Sequence, residues 1–206
     1  EDMQRNVLVP AGAGTTAIVQ NAANAEIWGA EIELVALPLE GVRVDASYGL
    51  ALGEFKDYID YDPALAANRD YSDERNLSNA PEHDLHIGAQ YSLPSFSWGT
   101  IVARIDYSWQ DATLLQNGDE PKAGQSSYAL FDARLSFNEV ELPGNHGAVD
   151  IGVWGRNLLD TEYKDFGIDF QTNTKNLGVG FPWIAQTFGE RRTIGIDMIW
   201  RWGSGL

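Results

Sequence analysis

The feature that most constrains the fold of this chain is a strict alternation of apolar and polar side chains in short segments. Between positions 41 and 53, an apolar set of Val42, Val44, Ala46, Tyr48, Leu50 and Leu52 alternates with a polar set of Arg43, Asp45, Ser47, Gly49 and Ala51. Because successive side chains of a β-strand point to opposite faces, this pattern predicts a strand with one apolar face and one polar face. The same pattern recurs at 28–36, 84–93, 100–109, 129–137, 149–156 and 193–202. The sequence therefore predicts an all-β protein.

Two features of these segments favour a membrane barrel over a half-buried soluble sheet, which would also alternate. Large aromatic side chains lie towards the ends of the apolar faces, where they suit the interfacial girdles of an outer-membrane barrel. These girdle candidates are Trp28, Tyr48, Tyr91, Tyr107, Trp109, Phe137, Trp200 and Trp202. The polar faces carry both signs of charge, for example Arg43 with Asp45, as expected of a water-filled or plugged lumen. No apolar run reaches the length of about 18 residues that a transmembrane helix needs.

The connections between the predicted strands alternate in length along the chain. Short links are predicted at 38–40, 94–97 and 139–146, and long polar loops at 55–82, 111–125 and 160–190. Outer-membrane barrels have short periplasmic turns and long extracellular loops, so this order predicts antiparallel strands with the long loops outside. The brief link at 11–16 is also expected to be external.

Charge and composition exclude several classes of function. The formal net charge of −16 argues against a nucleic-acid-binding surface, which needs clustered Lys and Arg side chains. The chain has no cysteine, so disulfides and thiolate metal sites are excluded. The histidines His83, His86 and His146 are too scattered for a HExxH-type zinc site, and the sequence offers no catalytic constellation. We therefore expect neither enzymatic activity nor a cofactor.

Three aspartates in the first long loop resemble a loose calcium site. Asp57, Asp60 and Asp62 could together supply the carboxylate oxygens that hard cations prefer. They lack the glycine and the terminal glutamate of an EF-hand loop. We favour solvated loop charges, or cations that bridge lipopolysaccharide, and predict no metal site.

Four local sequences, spread in order over most of the chain, resemble the TonB-dependent receptors of Gram-negative outer membranes. The segment 21–34, NAANAEIWGAEIEL, looks like the strand of that family that contains N-A…G-x-E-x-E. The segment 79–85, NAPEHDL, is similar to its N-x-P-x-H-x-L entry into a later strand. NLLDTEY at 157–163 resembles its N-L-x-D-x-x-Y motif, and GERRTIG at 189–195 resembles the start of its closing strand.

The resemblance implies a fold and a function. It places the chain at the last eight or so strands of a barrel of about 22 strands around a plug domain, and neither the plug nor the TonB-contacting box is present in these residues. No signal peptide is visible, and the first residues look like the middle of a strand, which predicts a piece of a longer chain. The implied function is TonB-energised uptake of a scarce nutrient, with an iron–siderophore complex as the default cargo. The implied partners are the plug, the TonB complex, the cargo, and outer-membrane lipid and lipopolysaccharide. Trp202 takes the place of the family's terminal aromatic residue, and 203–206 form a short tail.

Aromatic residues in two long loops are candidate cargo contacts, because aromatic rings bind amphipathic ligands by stacking and apolar burial. The candidates are Tyr58, Tyr61 and Tyr71 in the first loop, and Phe166, Phe170, Phe181 and Trp183 in the last. The alternative is that these rings pack the loops on one another or lie at the outer membrane interface. Aromatic residues serve packing more often than recognition.

Two other function classes stay open at this point. Eight strands can close a small barrel by themselves, which would act as an anchor or recognition module rather than as a transporter. A soluble ligand-binding β-barrel is the third alternative, and the outward aromatics argue against it. The mass of the native polypeptide distinguishes the receptor from the small barrel, because a receptor would be several times larger than this chain.

Overall fold

The structure is a computed structural model, and it describes residues 2–11, 14–62, 65, 67–115, 124–144, 146–169 and 184–202. Apart from one 3₁₀ turn, Ser72–Glu74, the regular elements of this described part are β-strands. The strands are β1 (Asp2–Ala11), β2 (Gly14–Leu39), β3 (Val42–Asp62), β4 (Ala67–Asp70), β5 (His83–Ser92), β6 (Thr100–Gln110), β7 (Thr113–Leu114), β8 (Gly124–Gln125), β9 (Tyr128–Glu141), β10 (Ala148–Arg156), β11 (Lys164–Asp169), β12 (Ile184–Phe188) and β13 (Thr193–Arg201). Within the described residues no helix has the length and apolar character needed to cross a membrane.

One antiparallel sheet organises the molecule. Eight strands follow one another in the order β1-β2-β3-β5-β6-β9-β10-β13, and β4 pairs beside β3. Two small hairpins, β7–β8 and β11–β12, belong to the long connections. The predictions of an all-β antiparallel fold and of about eight strands are confirmed. In the described part of the chain the sheet is open, because β1 pairs only with β2 and β13 pairs only with β10.

The strand register carries each apolar face across the whole sheet. One row of directly opposed residues runs Ala36, Val44, Ala89, Ile105, Ala133, Gly155, Ile194. The neighbouring row runs Val42, Tyr91, Ala103, Leu135, Val153, Ile196. Both rows are apolar throughout, and their larger members are exposed, with Ile196 at 74%. The prediction of an apolar face is therefore confirmed, and no other layer of the described protein covers that face.

The first two long strands extend well beyond what a membrane crossing requires. β2 has 26 residues and β3 has 21, whereas a crossing needs about 9–11. β1 pairs with residues 14–24 of β2, so it belongs to this outer extension. The prediction that 55–82 is wholly a loop was wrong, because β3 continues to Asp62 and pairs with β4. The loop 160–190 likewise contains the hairpin β11–β12.

The reason for this error is that charges alone suggested a loop. Residues 57–62 read DYIDYD, in which the charged residues lie on both faces of a strand. Backbone pairing with β2 and β4 continues the strand through these residues, although their side chains do not alternate.

The main buried cluster lies where this extension meets the sheet. Ala23, Phe55 and Tyr58 form it, and Ala25, Tyr71 and Leu77 pack against it. The cluster ties the segment after β4 to the outer ends of β2 and β3. At the opposite end of the sheet the links are short, at 40–41, 93–99 and 142–147. We call these the short-turn end and the loop end.

Candidate functional site

The polar face of the sheet carries paired charges that bridge three strands. Arg104 on β6 donates from Nη1 and Nη2 to the two carboxylate oxygens of Asp45 on β3, at 2.9 Å each. It also donates to both oxygens of Asp106, at 3.0 Å from Nε and 2.6 Å from Nη2. One guanidinium thus satisfies two carboxylates.

A glycine on the strand between them makes this bridge possible. Gly88 on β5 lies opposite both Asp45 and Asp106, and a Cβ there would collide with Nη2 of Arg104. The absence of a side chain lets the guanidinium cross the middle strand. This is a close approach of the kind for which strands use glycine.

The same arrangement occurs a second time farther along the sheet. Arg134 on β9 reaches across Gly152 on β10 to both oxygens of Asp197 on β13, at 2.7 Å each. Its Nε donates to Ser136 at 2.9 Å. At the short-turn end Arg201 on β13 pairs with Asp150 on β10. Fixed ion pairs therefore line the polar face from β3 to β13.

His86 joins the first of these groups. Ligand atoms of Asp45, His86 and Asp106 lie within 4.8 Å of one another, which is close enough to hold a metal ion. Arg104 already occupies the oxygens of both carboxylates, so a metal ion would have to displace it. The resident cation is the guanidinium, and we assign no metal here. Sequence reasoning missed this cluster because its members come from three strands, and only the register brings them together.

Of the aspartates considered as a calcium site, only Asp57 has a described side chain. Asp57 accepts a hydrogen bond from the side-chain amide of Asn24. The side chains of Asp60 and Asp62 lie outside the described part.

At the loop end, backbone hydrogen bonds join the bases of the first two long loops. The N–H of Ala51 donates to Glu82 O at 2.9 Å, and the N–H of Asn79 donates to Leu114 O at 2.7 Å. Leu77 packs directly on the backbone of Gly53, where a Cβ would collide with it. Segment 76–82 therefore lies against the polar face of β3 rather than projecting outwards.

These loop bases enclose a pocket of about 540 Å³. We call it the loop-base pocket. Its walls come from Ala51, Gly53, Asn76, Leu77, Ala80, Glu82, Asp111, Ala112, Thr113, Leu114, Gly124, Gln125 and Ser126. Most of its walls are small residues and polar groups.

The base of the last loop is held by a buried asparagine. The Asn157 amide is 3% exposed, donates to Thr161 O at 2.8 Å and to Glu190 O at 2.9 Å, and accepts from the N–H of Thr161 at 2.8 Å. Its own N–H donates to Asp132 Oδ1 at 2.8 Å. These four bonds join β9, the loop start and the loop end.

An ion pair closes the same loop from outside. Arg191 donates to both oxygens of Asp160, at 3.0 and 2.9 Å, and to Glu162 at 2.8 Å. Together with the N–H of Arg192, the guanidinium holds the pKa of Asp160 well below its ordinary value.

The second and last loops are also coupled to each other. The rings of Tyr128 and Tyr163 stack with their centroids 4.7 Å apart. The N–H of Lys164 donates to Oε1 of the buried Gln125 at 2.6 Å. The loops therefore share one base layer around the pocket.

The predicted cargo contacts lie in different environments. Tyr58 is only 3% exposed and packs edge-on against Phe55 at 4.9 Å, and Tyr71 is half-buried beside it. Phe166 on β11 is exposed. For Tyr61 only the backbone, in β3, is described, and Phe170, Phe181 and Trp183 lie outside the described residues. The cargo-contact role of these seven residues stays a prediction.

The predicted girdle residues sit on the apolar face. Trp28, Trp200 and Trp202 are strongly exposed, Tyr48 and Tyr107 are moderately so, and Trp109 is half-buried. The hydroxyl of Tyr48 bonds to Nδ1 of His83 at 2.7 Å, which gives His83 a structural partner. Their contact with a membrane interface stays a prediction.

Comparison with known proteins gives two findings. The family described as TonB dependent receptor-like, beta-barrel, matches residues 2–158. The crystal structure of the ferric yersiniabactin uptake receptor FyuA from Yersinia pestis is similar with a TM-score of 0.65 at 20% identity. The match covers 88% of this chain and 24% of that chain, so the present sequence spans about a quarter of the receptor's length.

Proposed function

Because this chain belongs to the TonB-dependent receptor β-barrel family, we propose that it is part of the wall of an outer-membrane transporter that takes up an iron–siderophore complex. The observation that carries the proposal is the two-faced sheet, with apolar rows outside and fixed ion pairs inside. The uptake of ferric yersiniabactin named for the structurally similar receptor supports the choice of cargo.

Each face has a part in the proposed transporter. The uncovered apolar rows meet the hydrocarbon of the outer membrane, where such side chains cost nothing to expose. The polar face lines the lumen and contacts a plug domain and the passing cargo. Arg104, Arg134 and Arg201 on this face are each paired with an aspartate, so the wall offers fixed polar groups to the lumen. The wall carries out no bond chemistry, and the TonB complex supplies the energy.

The mass of the native polypeptide separates a large barrel from a stand-alone eight-stranded barrel. In the described residues β2 from 25 to 39 pairs on one side only, and β13 pairs only with β10. Unpaired backbone groups in hydrocarbon cost several kcal/mol each, so both edges need partners, which are each other in a small barrel and further strands in a large one. A native polypeptide of about four times 22.7 kDa supports the receptor, whereas one of 22.7 kDa supports the small barrel.

Uptake by the intact receptor tests the proposal. A host strain that lacks the gene should fail to accumulate radioactive iron from its siderophore, and the full-length gene should restore uptake only while the proton gradient is maintained. Restored uptake of cobalamin or haem, without that of any ferric siderophore, would refute the iron–siderophore cargo.

The loop aromatics allow a second test of the same proposal. Trp183→Ala in the full-length receptor should weaken cargo binding and uptake without lowering the yield of folded barrel, because a stacking ring contributes to recognition rather than to the wall. Phe137→Ala, a substitution on the apolar face far from the loops, is the control. Unchanged affinity in Trp183→Ala would remove that residue from the cargo site.

A further inference from the structure

The loop-base pocket has the position and size of a ligand site. Ala51 and Gly53 are among its lining residues and lie on the polar face of β3, so the pocket is on the side of the sheet that faces the lumen in the proposed transporter. Its volume of about 540 Å³ lies within the range of small-molecule pockets. Its walls are held in place by the backbone bonds from Ala51 to Glu82 and from Asn79 to Leu114.

Among the described residues, the charged groups on these walls have one sign. Glu82 and Asp111 line the pocket, and no described Lys or Arg is a lining residue. Within the described residues neither carboxylate takes part in an ion pair, in contrast to the saturated aspartates on the sheet below. The ammonium of Lys164 donates to the carbonyl of Gly124, a lining residue, at 2.9 Å.

The other polar groups of the pocket are neutral. Asn76 contributes an amide, whereas the Gln125 amide is already bonded to the N–H of Lys164 and to Ser126 O. Oδ1 of Asp111 accepts the N–H of Ala112 at 2.7 Å. Carboxylates without a counter-ion accept hydrogen bonds from hydroxyl and ammonium groups, and they repel anions.

We propose that the loop-base pocket receives a neutral or cationic, hydrogen-bond-donating arm of the cargo and rejects anionic arms. This inference rests on the proposed uptake function, and it narrows the cargo to neutral or cationic ferric complexes such as trihydroxamates. Complexes that keep a large negative charge, such as ferric tris-catecholates, are excluded from the pocket.

A matched pair of ligands tests the charge preference. The probes are a ferric trihydroxamate with a free terminal amine, the same complex with that amine acetylated, and a ferric tris-catecholate. Their affinities for the purified full-length receptor are measured by quenching of tryptophan fluorescence. The free amine should bind about tenfold more tightly than the acetylated form, the effect of one charge-assisted hydrogen bond. The tris-catecholate should bind weakest.

Two substitutions test whether this charge preference arises in the loop-base pocket. Glu82→Gln and Asp111→Asn each keep the side-chain size and a hydrogen-bond acceptor, and each should reduce the ratio between amine and acetylated ligand towards one. Glu141→Gln removes the same charge from an exposed position at the short-turn end and should leave the ratio unchanged. Heat-modifiable migration in gels verifies that each variant is a folded barrel.

The outcomes separate this inference from the proposed function. Tighter binding of the tris-catecholate, or a ratio that both pocket variants leave intact, overturns the pocket assignment while iron uptake stands. Failure of the folded wild type to bind any ferric complex overturns the iron–siderophore cargo and the pocket assignment with it.

Discussion

Replacing Ile105 by arginine tests whether the apolar rows face lipid. Ile105 is the middle residue of β6, which runs Thr100–Gln110, and lies between Ala89 and Ala133 on the neighbouring strands. Its side chain is 48% exposed although every strand beside it is paired. If that surface meets hydrocarbon, the Ile105→Arg guanidinium must enter the bilayer near its midplane.

The expected cost follows from that depth. An arginine on the lipid face of a barrel costs about 2–4 kcal/mol at the midplane and about 0–1 kcal/mol near the interfaces. The midplane value corresponds to a decrease of roughly 30- to 700-fold in the folded-to-unfolded ratio. Ser108→Arg is the matched control, since Ser108 is on the opposite face of the same strand, between His86 and Leu130. It should cost about 1 kcal/mol or less.

Equilibrium unfolding of the full-length receptor in lipid vesicles measures both free energies. Guanidinium chloride titrations followed by tryptophan fluorescence give the difference between each variant and the wild type. Equal costs for Ile105→Arg and Ser108→Arg, or a larger cost for Ser108→Arg, would refute the assignment of faces. The outer-membrane wall proposed here would then be wrong.

Three further predictions concern the polar groups. Arg104→Ala should destabilise the receptor by about 1–3 kcal/mol in the same titration, because two partly buried carboxylates lose their shared donor. Arg104→Lys should recover little of this loss, since an ammonium cannot make the two-pronged contacts. Asn157→Ala and Asn157→Gly should both speed proteolysis within the last loop, because the amide bonds to the loop start and end are lost. Since Asn157 has φ +48°, equal effects of the two would assign the loss to hydrogen bonds, and a rescue by glycine would assign it to backbone strain. Asp160 has a pKa lowered by Arg191, so its contribution to loop stability is present above the unfolded pKa of about 3.9 and is lost as the pH falls below it. The protection factors of the loop amides, which are exchange rates corrected for the intrinsic pH dependence of exchange, should fall over that acidic range in the wild type. A similar fall in Asp160→Asn would contradict this origin.

Sequence reasoning located the strands well and their outer limits poorly. The alternation at 41–53 identified β3 and both of its faces, and the register confirmed this assignment. The same reasoning ended β3 near position 55, because residues 57–62 lose the alternation. Alternation reports a difference between the environments of the two faces. Here the strand is continued by backbone pairing with β2 and β4, which leaves no trace in the side-chain pattern.

The candidate site, like the strands, was indicated only in part by the sequence. The motif at 157–163 was noted in the sequence only for its family resemblance, and in the structure Asn157, Asp160 and Tyr163 all make contacts at the base of the last loop. The loop-base pocket carried no sequence signal, because its walls come from segments 51–53, 76–82, 111–114 and 124–126, which backbone bonds bring together.

The sequence by itself determined which side chains share a face, because strand geometry sends neighbours in opposite directions whatever the partner strand is. It also determined which connections lie at the same end of the sheet, because antiparallel strands reverse at every link. Only the tertiary structure decided that Arg104 pairs with Asp45, 59 positions away, across Gly88. Such a contact depends on the register between strands, which is set by the whole sheet and is absent from any local pattern.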